Sequence, residues 1–221
     1  MRANRIQGSD LRQFEFDYDL TWVAFFMNAD GTIYGRYGGQ DAKSDVGRMS
    51  LAGLRFAMTS ALETHKKPPP KKVAPAQPPL RPESIVKAQG CIHCHNIHEA
   101  KWRTPGIKKE DMWIYPLPDN VGVVLNIDQG NKVQSVVDDS PAAKLGIQPG
   151  DIIDSINGIR VFSFGDAQYA LHKAPAKGTI PIAWSPANPM TTKLVATKAG
   201  ASSPFVFNFD GKPIELNVLL P

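Results

Sequence analysis

The sequence predicts an α+β protein built from more than one unit, and three observations carry that reading. Residues 14–39 read as strand, turn and strand, with a helical period behind them. A stretch rich in proline and lysine then breaks all periodicity between 65 and 82. Beyond it, residues 116–200 alternate short runs of β-formers with two short, capped helices. A chain of 221 residues has room for one domain or two small ones, at roughly 100–200 residues each.

Composition agrees with a folded chain, with 42% hydrophobic and 21% charged residues. The proline excess is local: seven of the 19 prolines fall between Pro68 and Pro82. The net charge of +4 equals the four lysines of the same stretch, Lys66, Lys67, Lys71 and Lys72. Elsewhere charge is balanced, so no basic face argues for nucleic acid as a partner. The longest apolar run, Trp22–Met27, is far short of the ~18 residues that suggest a membrane span, so no transmembrane segment is expected. Met1–Ile6 carries charge but no apolar h-region, and no signal peptide is visible.

Each element has a local reason. The apolar run Thr21–Met27 stops at Asn28-Ala29-Asp30-Gly31, where Asp-Gly supplies the positive φ of a tight turn, and Thr32-Ile33-Tyr34 resumes with β-formers. Ser50 is placed to cap a helix in which Leu51, Leu54, Met58, Ala61 and Leu62 recur at helical spacing. The segment 65–82 is expected to be an extended, mobile linker. In the distal block, Val121–Ile127 and Lys132–Val137 read as strands around a turn at Asp128–Asn131. Ser140 to Gly146 is a short helix with Ser as cap, Pro at its first position and Gly at its end. Ile156–Val161 is a strand bent by Asn157-Gly158, Ser163 to Asp166 opens a helix running to Lys173, and strands Thr179–Trp184 and Thr192–Thr197 follow. Residues 201–221 read as a further hairpin.

Both cysteines sit in one window, Cys91-Ile92-His93-Cys94-His95. This is CxxCH, the c-type haem attachment pattern: two thiols at this spacing can add to the two vinyl groups of one porphyrin, and the adjacent imidazole of His95 is directed at the iron. Zinc is the alternative cofactor, with His95 or His98 beside the two thiols. A redox dithiol and an inert cysteine pair also remain open. For a sixth haem ligand, Met112 is the methionine between the motif and the distal block, with His65, His172 and a vacant position as other choices. Ile85, Val86, Ile92, Ile97, Trp102, Ile107 and Trp113 offer part of an apolar wall for the porphyrin, and the flanking blocks are expected to supply the rest.

The first block, with its apolar strand, Asn28–Gly31 hairpin, Arg36-Tyr37-Gly38-Gly39 exit and closing helix, resembles the second half of a thioredoxin-like fold. It departs from that family in having no cysteine before position 91 and Asp19-Leu20-Thr21 where the family places a cis-proline, which argues against thiol–disulfide catalysis here. The span Ser140 to Val161, SPAAKLGIQPGDIIDSINGIRV, resembles the PDZ domains of bacterial HtrA-type and tail-specific proteases. The resemblance implies a PDZ-like barrel or sandwich with two helices that binds peptide or protein C-termini. It places the carboxylate loop at Asn120, Val121, Gly122 and Val123, with Phe164 and Gln168 on the groove helix. Gly122 would let the peptide approach, and Phe164 would favour an apolar ligand residue.

The expected organisation is a thioredoxin-like fragment over 1–64, a linker over 65–82, a short helical haem-attachment segment over 83–115, a PDZ-like domain over 116–200 and a hairpin over 201–221. The arrangement resembles bacterial thioredoxin/PDZ fusion proteins, which implies a periplasmic or other extracytoplasmic setting. The expected function is electron transfer or redox sensing by a haem c-bearing protein that meets an unidentified redox partner and docks through its PDZ groove. The alternative is a PDZ adaptor without redox chemistry. Neither a Ser-His-Asp nor a Ser-Lys constellation has room in the chain, so no enzyme is expected.

Overall fold

Turn chemistry builds the first hairpin. In the computed structural model, which describes residues 6–18, 20–40, 47–67, 77–87, 90–103, 115–175 and 180–187, β1 (Ala24–Met27) pairs antiparallel with β2 (Ile33–Tyr37). Asn28 Oδ1 accepts from the Asp30 and Thr32 amides at 3.1 and 2.9 Å, and Gly31 takes φ +89°. Ser50 caps α1 (Leu51–His65) by accepting from the Gly53 amide at 2.9 Å. The expected helix is present, but of its expected apolar positions only Ala61 is buried. Gly53, Ala57 and Ala61 point inward, while Leu51, Met58 and Leu62 are 81%, 46% and 60% exposed. Close approach decides this: a Cβ on Gly53 would lie 2.2 Å from the Ile127 carbonyl oxygen, a distance no larger side chain could share. Among the described residues this block consists of one hairpin and one helix, and nothing in it supports the thioredoxin-like expectation.

The segment before the hairpin and the segment around the cysteines form a second small core. Leu11, Phe16 and Tyr18 bury together with Ile92 and Ile97, flanked by Leu80, Ile85, Val86 and Cys94. The Leu11 amide donates to the Leu80 carbonyl at 2.9 Å, and the Leu80 amide donates to Asp10 Oδ1 at 3.0 Å. The end of the expected linker is thus pinned. Pro82 is fully buried and begins the one-turn helix α2 (Pro82–Ile85). Proline there fixes φ and leaves no unsatisfied amide. Helix α3 (Cys94–Trp102) follows, with the His93 amide donating to Asn96 Oδ1 at 2.9 Å. Residues 68–76 of the linker lie outside the described residues.

The distal block follows its sequence closely. A 3₁₀ turn, Pro118–Val121, leads into β3 (Val123–Leu125), which pairs antiparallel with β4 (Val133–Val136). Ser140 caps α4 (Pro141–Leu145) through the Ala143 amide at 3.2 Å, and Gly146 ends it at φ +79°. β5 (Ile152–Ile156) lies between β6 (Ile159–Arg160) and β7 (Ile182–Ser185). The β5–β6 turn has positive φ at both Asn157 and Gly158, 51° and 72°, the geometry that Asn-Gly favours. Helix α5 (Phe164–His172) closes one apolar core of Val121, Val123, Leu125, Val133, Ile153, Ile156, Val161, Leu171, Ile182 and Trp184, among others. Strand Thr192–Thr197 and the hairpin over 201–221 lie outside the described residues.

Alanine favours a helix interior over glycine by about 1 kcal/mol. At Gly53 the expected sign is reversed, because the added methyl meets the Ile127 carbonyl. Gly53→Ala should lower the melting temperature by several degrees in calorimetry. An unchanged or raised value would mean that α1 is not seated on the β3–β4 turn.

Candidate peptide-recognition site

The start of α5 is joined to β2 by a buried polar junction. Ser163 caps the helix by accepting from the Asp166 amide at 3.1 Å, and its hydroxyl donates to the Arg36 carbonyl. Asp166, 1% exposed, accepts from the Arg36 amide at 2.7 Å and the Phe162 amide at 3.1 Å. Burial pushes its carboxyl up to about 7, against the lowering effect of those hydrogen bonds and of the Arg36 charge. The Arg36 guanidinium lies 3.4 Å from the Tyr169 ring centroid, and its Nε donates to the Glu15 carbonyl at 3.1 Å. Glu15 also pairs with Lys173 at 2.7 Å.

The residues assigned to the groove helix stand one turn apart and are both covered. Phe164 is 6% exposed, next to Gly39, with the Arg48 guanidinium 5.0 Å from its ring centroid. Gln168 is 3% exposed, and its Nε2 donates to the Tyr115 carbonyl at 3.0 Å. The Tyr115 ring stacks on His172 with centroids 4.3 Å apart. Burial lowers His172 to about 4 and raises the Tyr115 hydroxyl.

In the assigned carboxylate loop, Asn120 is exposed while Val121, Gly122 and Val123 are buried. The Asn120 amide donates to Leu117 and the Gly122 amide to Asp119, at 3.0 and 2.9 Å, so two loop donors are engaged inside the 3₁₀ turn. Gly122 takes φ +89°, and a Cβ there would lie 2.0 Å from Ser140 Oγ. Glycine at this position is therefore required by the turn and by the cap of α4, whatever binds in the groove.

The CxxCH residues lie elsewhere, at the N-terminal end of α3. Cys91 and His95 are exposed and Cys94 is half-buried as the first helical residue. His95 stacks on His93, rings 8° apart. Burial pushes the Cys94 thiol up, the opposite of the shift that activates a redox dithiol. Ile92 and Ile97, expected to wall a porphyrin, instead fill the core with Leu11 and Phe16. Alternation explains this: Ile92 sits between the exposed Cys91 and His93, so the side of the segment that buries apolar surface is turned away from them. Of the other candidate ligands, His65 Nδ1 hydrogen-bonds Tyr34 Oη at 2.8 Å, and Met112 lies outside the described residues, as do Ile107 and Trp113. Among the described residues no three of His, Cys, Asp and Glu are grouped to hold a metal.

The small sheets, two capped helices and shared core of the distal block make one α+β unit. Residues 132–183 match the PDZ domain family, so this part of the chain is a PDZ domain. Over 82 residues the chain is 37% identical to a protein of Mesorhizobium japonicum named as a putative zinc metalloprotease. That stretch is 37% of this chain but 16% of the relative, so the chain spans a small part of that protein's length. No solved structure matches the chain.

Sequence reasoning did not find Arg36, Arg48, Tyr115 or Asp166. The signal available was the glycine-rich exit Arg36-Tyr37-Gly38-Gly39, whose lack of side chains admits α5. A Cβ on Gly165 would lie 2.8 Å from the Gly38 carbonyl oxygen.

The Asp166 junction has a pH signature. With its folded pKa raised, the native state holds a proton that the unfolded chain has released between about pH 4 and 7. This group therefore lowers stability as pH rises through that window, by on the order of a few kcal/mol, and adds nothing further above it. His172 acts oppositely: its lowered pKa makes stability rise between about pH 4 and 6.5. The difference between wild type and Asp166→Asn isolates the carboxyl. Wild type should lose its advantage over the variant as melting temperatures are followed from pH 4 to 7.5. A constant difference would show that Asp166 ionises at its ordinary pKa.

Proposed function

We propose that this chain recognises an extended C-terminal segment of a protein partner through its PDZ domain. The observation that carries the reading is the PDZ domain with a β3 edge that, among the described residues, pairs with no strand other than β4. Helix α5 packs against the turn leading into that strand, and its Phe164 and Gln168 share one face. A peptide added to this edge would gain main-chain hydrogen bonds from β3 and side-chain selection from α5. In the full-length protein, peptides with free C-termini should bind at least about tenfold tighter than their amidated forms, or about 1.4 kcal/mol. Equal binding of both forms in calorimetric titrations would remove the carboxylate from the recognition chemistry.

A second reading attaches covalent haem at Cys91 and Cys94 with His95 as iron ligand. The observation favouring it is that Cys91 and His95 stand exposed at the start of α3 with Cys94 beside them. The donor set fits thioether attachment and axial ligation. Bound haem would supply one-electron redox chemistry, and this chain would then serve electron transfer or redox sensing outside the cytoplasm, guided to its partner by the PDZ domain. Here α3 sets the spacing of Cys94 and His95, and the Leu11–Ile97 core fixes the helix beneath them. Protein made in a host that matures c-type cytochromes should show a sharp α-band on reduction, and Cys91→Ser with Cys94→Ser should abolish it. A colourless protein holding one equivalent of zinc would overturn the haem reading.

A further inference from the structure

The face of α5 that a ligand would meet is covered by the chain itself. Gly39 packs so tightly on Phe164 that a Cβ on it would lie 2.4 Å from the ring, and the Arg48 guanidinium lies over the same ring. Arg48 also pairs with Asp119 at 2.9 Å, immediately before the carboxylate loop. Beyond the other end of β3, Ser50 Oγ donates to Asp128 Oδ1 at 2.7 Å. Contacts of the first block therefore flank β3 at both ends. Further along α5, Gln168 is held by the Tyr115 carbonyl, and the loop amides of Asn120 and Gly122 are engaged internally.

We propose that the PDZ groove is closed in cis: Gly39 and Arg48 on Phe164, with Tyr115 on Gln168, hold the place of an incoming peptide and must leave α5 before it binds. This rests on the peptide-recognition reading and adds regulation to it. The contacts suit a reversible cover. Glycine backbone, a cation over a ring and a partly exposed ion pair each hold weakly, whereas the apolar core of the PDZ domain lies beneath α5 and contains none of the covering residues. The buried Asp166 junction anchors β2 at the end of the same helix, so the cover stays tethered when displaced. A groove open for only a fraction of the time binds with its affinity reduced by that fraction. Anything that draws Gly39 and Arg48 off Phe164 while the Asp166 junction holds would then raise affinity without touching the ligand.

The test uses the full chain as wild type, Gly39→Val and Arg48→Ala, with two measurements. Hydroxyl-radical footprinting reads the exposure of Phe164, with the core residue Trp184 as the internal control for folding. Titration with free-carboxylate C-terminal peptides from a random library reads affinity. Both variants should raise Phe164 oxidation with Trp184 still protected, and should tighten peptide binding by about tenfold. If Phe164 is already oxidised freely in wild type, or if neither variant changes it, the closed groove is overturned. If Phe164 becomes exposed but no peptide binds any form, the cover is real and the recognition reading fails. Should Gly39→Val expose Trp184, Arg48→Ala, which leaves the main chain unaltered, decides the matter.

Discussion

The buried carboxyl of Asp166 is the constraint on which the arrangement of the described units depends. It accepts from the main chain of β2 at Arg36 and from its own block at Phe162 and stands beside Ser163, whose hydroxyl reaches back to Arg36. A carboxyl removed from water at 1% exposure is tolerated only because its lone pairs are met by these donors. The reverse also holds. The Arg36 amide and carbonyl are buried in the same place and have their partners on α5 and its cap. Removing either side leaves polar groups of the other without water or protein, which costs more than the hydrogen bonds themselves return.

Small residues make that junction possible. Gly35, Gly38, Gly39 and Gly165 line the contact between β2 and α5, and Gly130 does the same behind Ser163. The first block therefore meets the distal block at close backbone contacts, with Arg36 and Arg48 laid over Tyr169 and Phe164 and ion pairs from Glu15 to Lys173 and from Arg48 to Asp119. Such an interface is set by close backbone approach. It differs in kind from the core of Leu11, Phe16 and Ile97, where side-chain volume does the holding.

The PDZ domain was legible because its signals are local. Ser140, Pro141 and Gly146 bracket α4, and Asn157-Gly158 dictates its turn, within a few residues of where each acts. The same is true of the Asn28–Gly31 turn and the Ser50 cap. What was not legible depends on distant partners. The inward face of α1 is set by the approach of Ile127 to Gly53, 74 positions along the chain, and helical spacing alone favoured the larger residues on the other side. Ile92 and Ile97 look equally apolar whether they wall a porphyrin or pack on Leu11. Arg36, as one charged residue in a strand of a balanced chain, gives no sign that it will be 8% exposed.

The separation of Arg36 from Asp166, 130 residues, also orders events during synthesis. At about 5–20 residues per second, the buried groups of β2 wait on the order of ten seconds for their partners to leave the ribosome. Through that interval the main-chain groups of Arg36 that end in the junction are without their partners. The PDZ core, by contrast, draws its strands and both helices from one contiguous stretch and can close as soon as that stretch is free. The β1–β2 hairpin, made before the PDZ domain, is therefore among the last parts to reach its final contacts, and its early exposure is the interval in which holding by a chaperone would matter most.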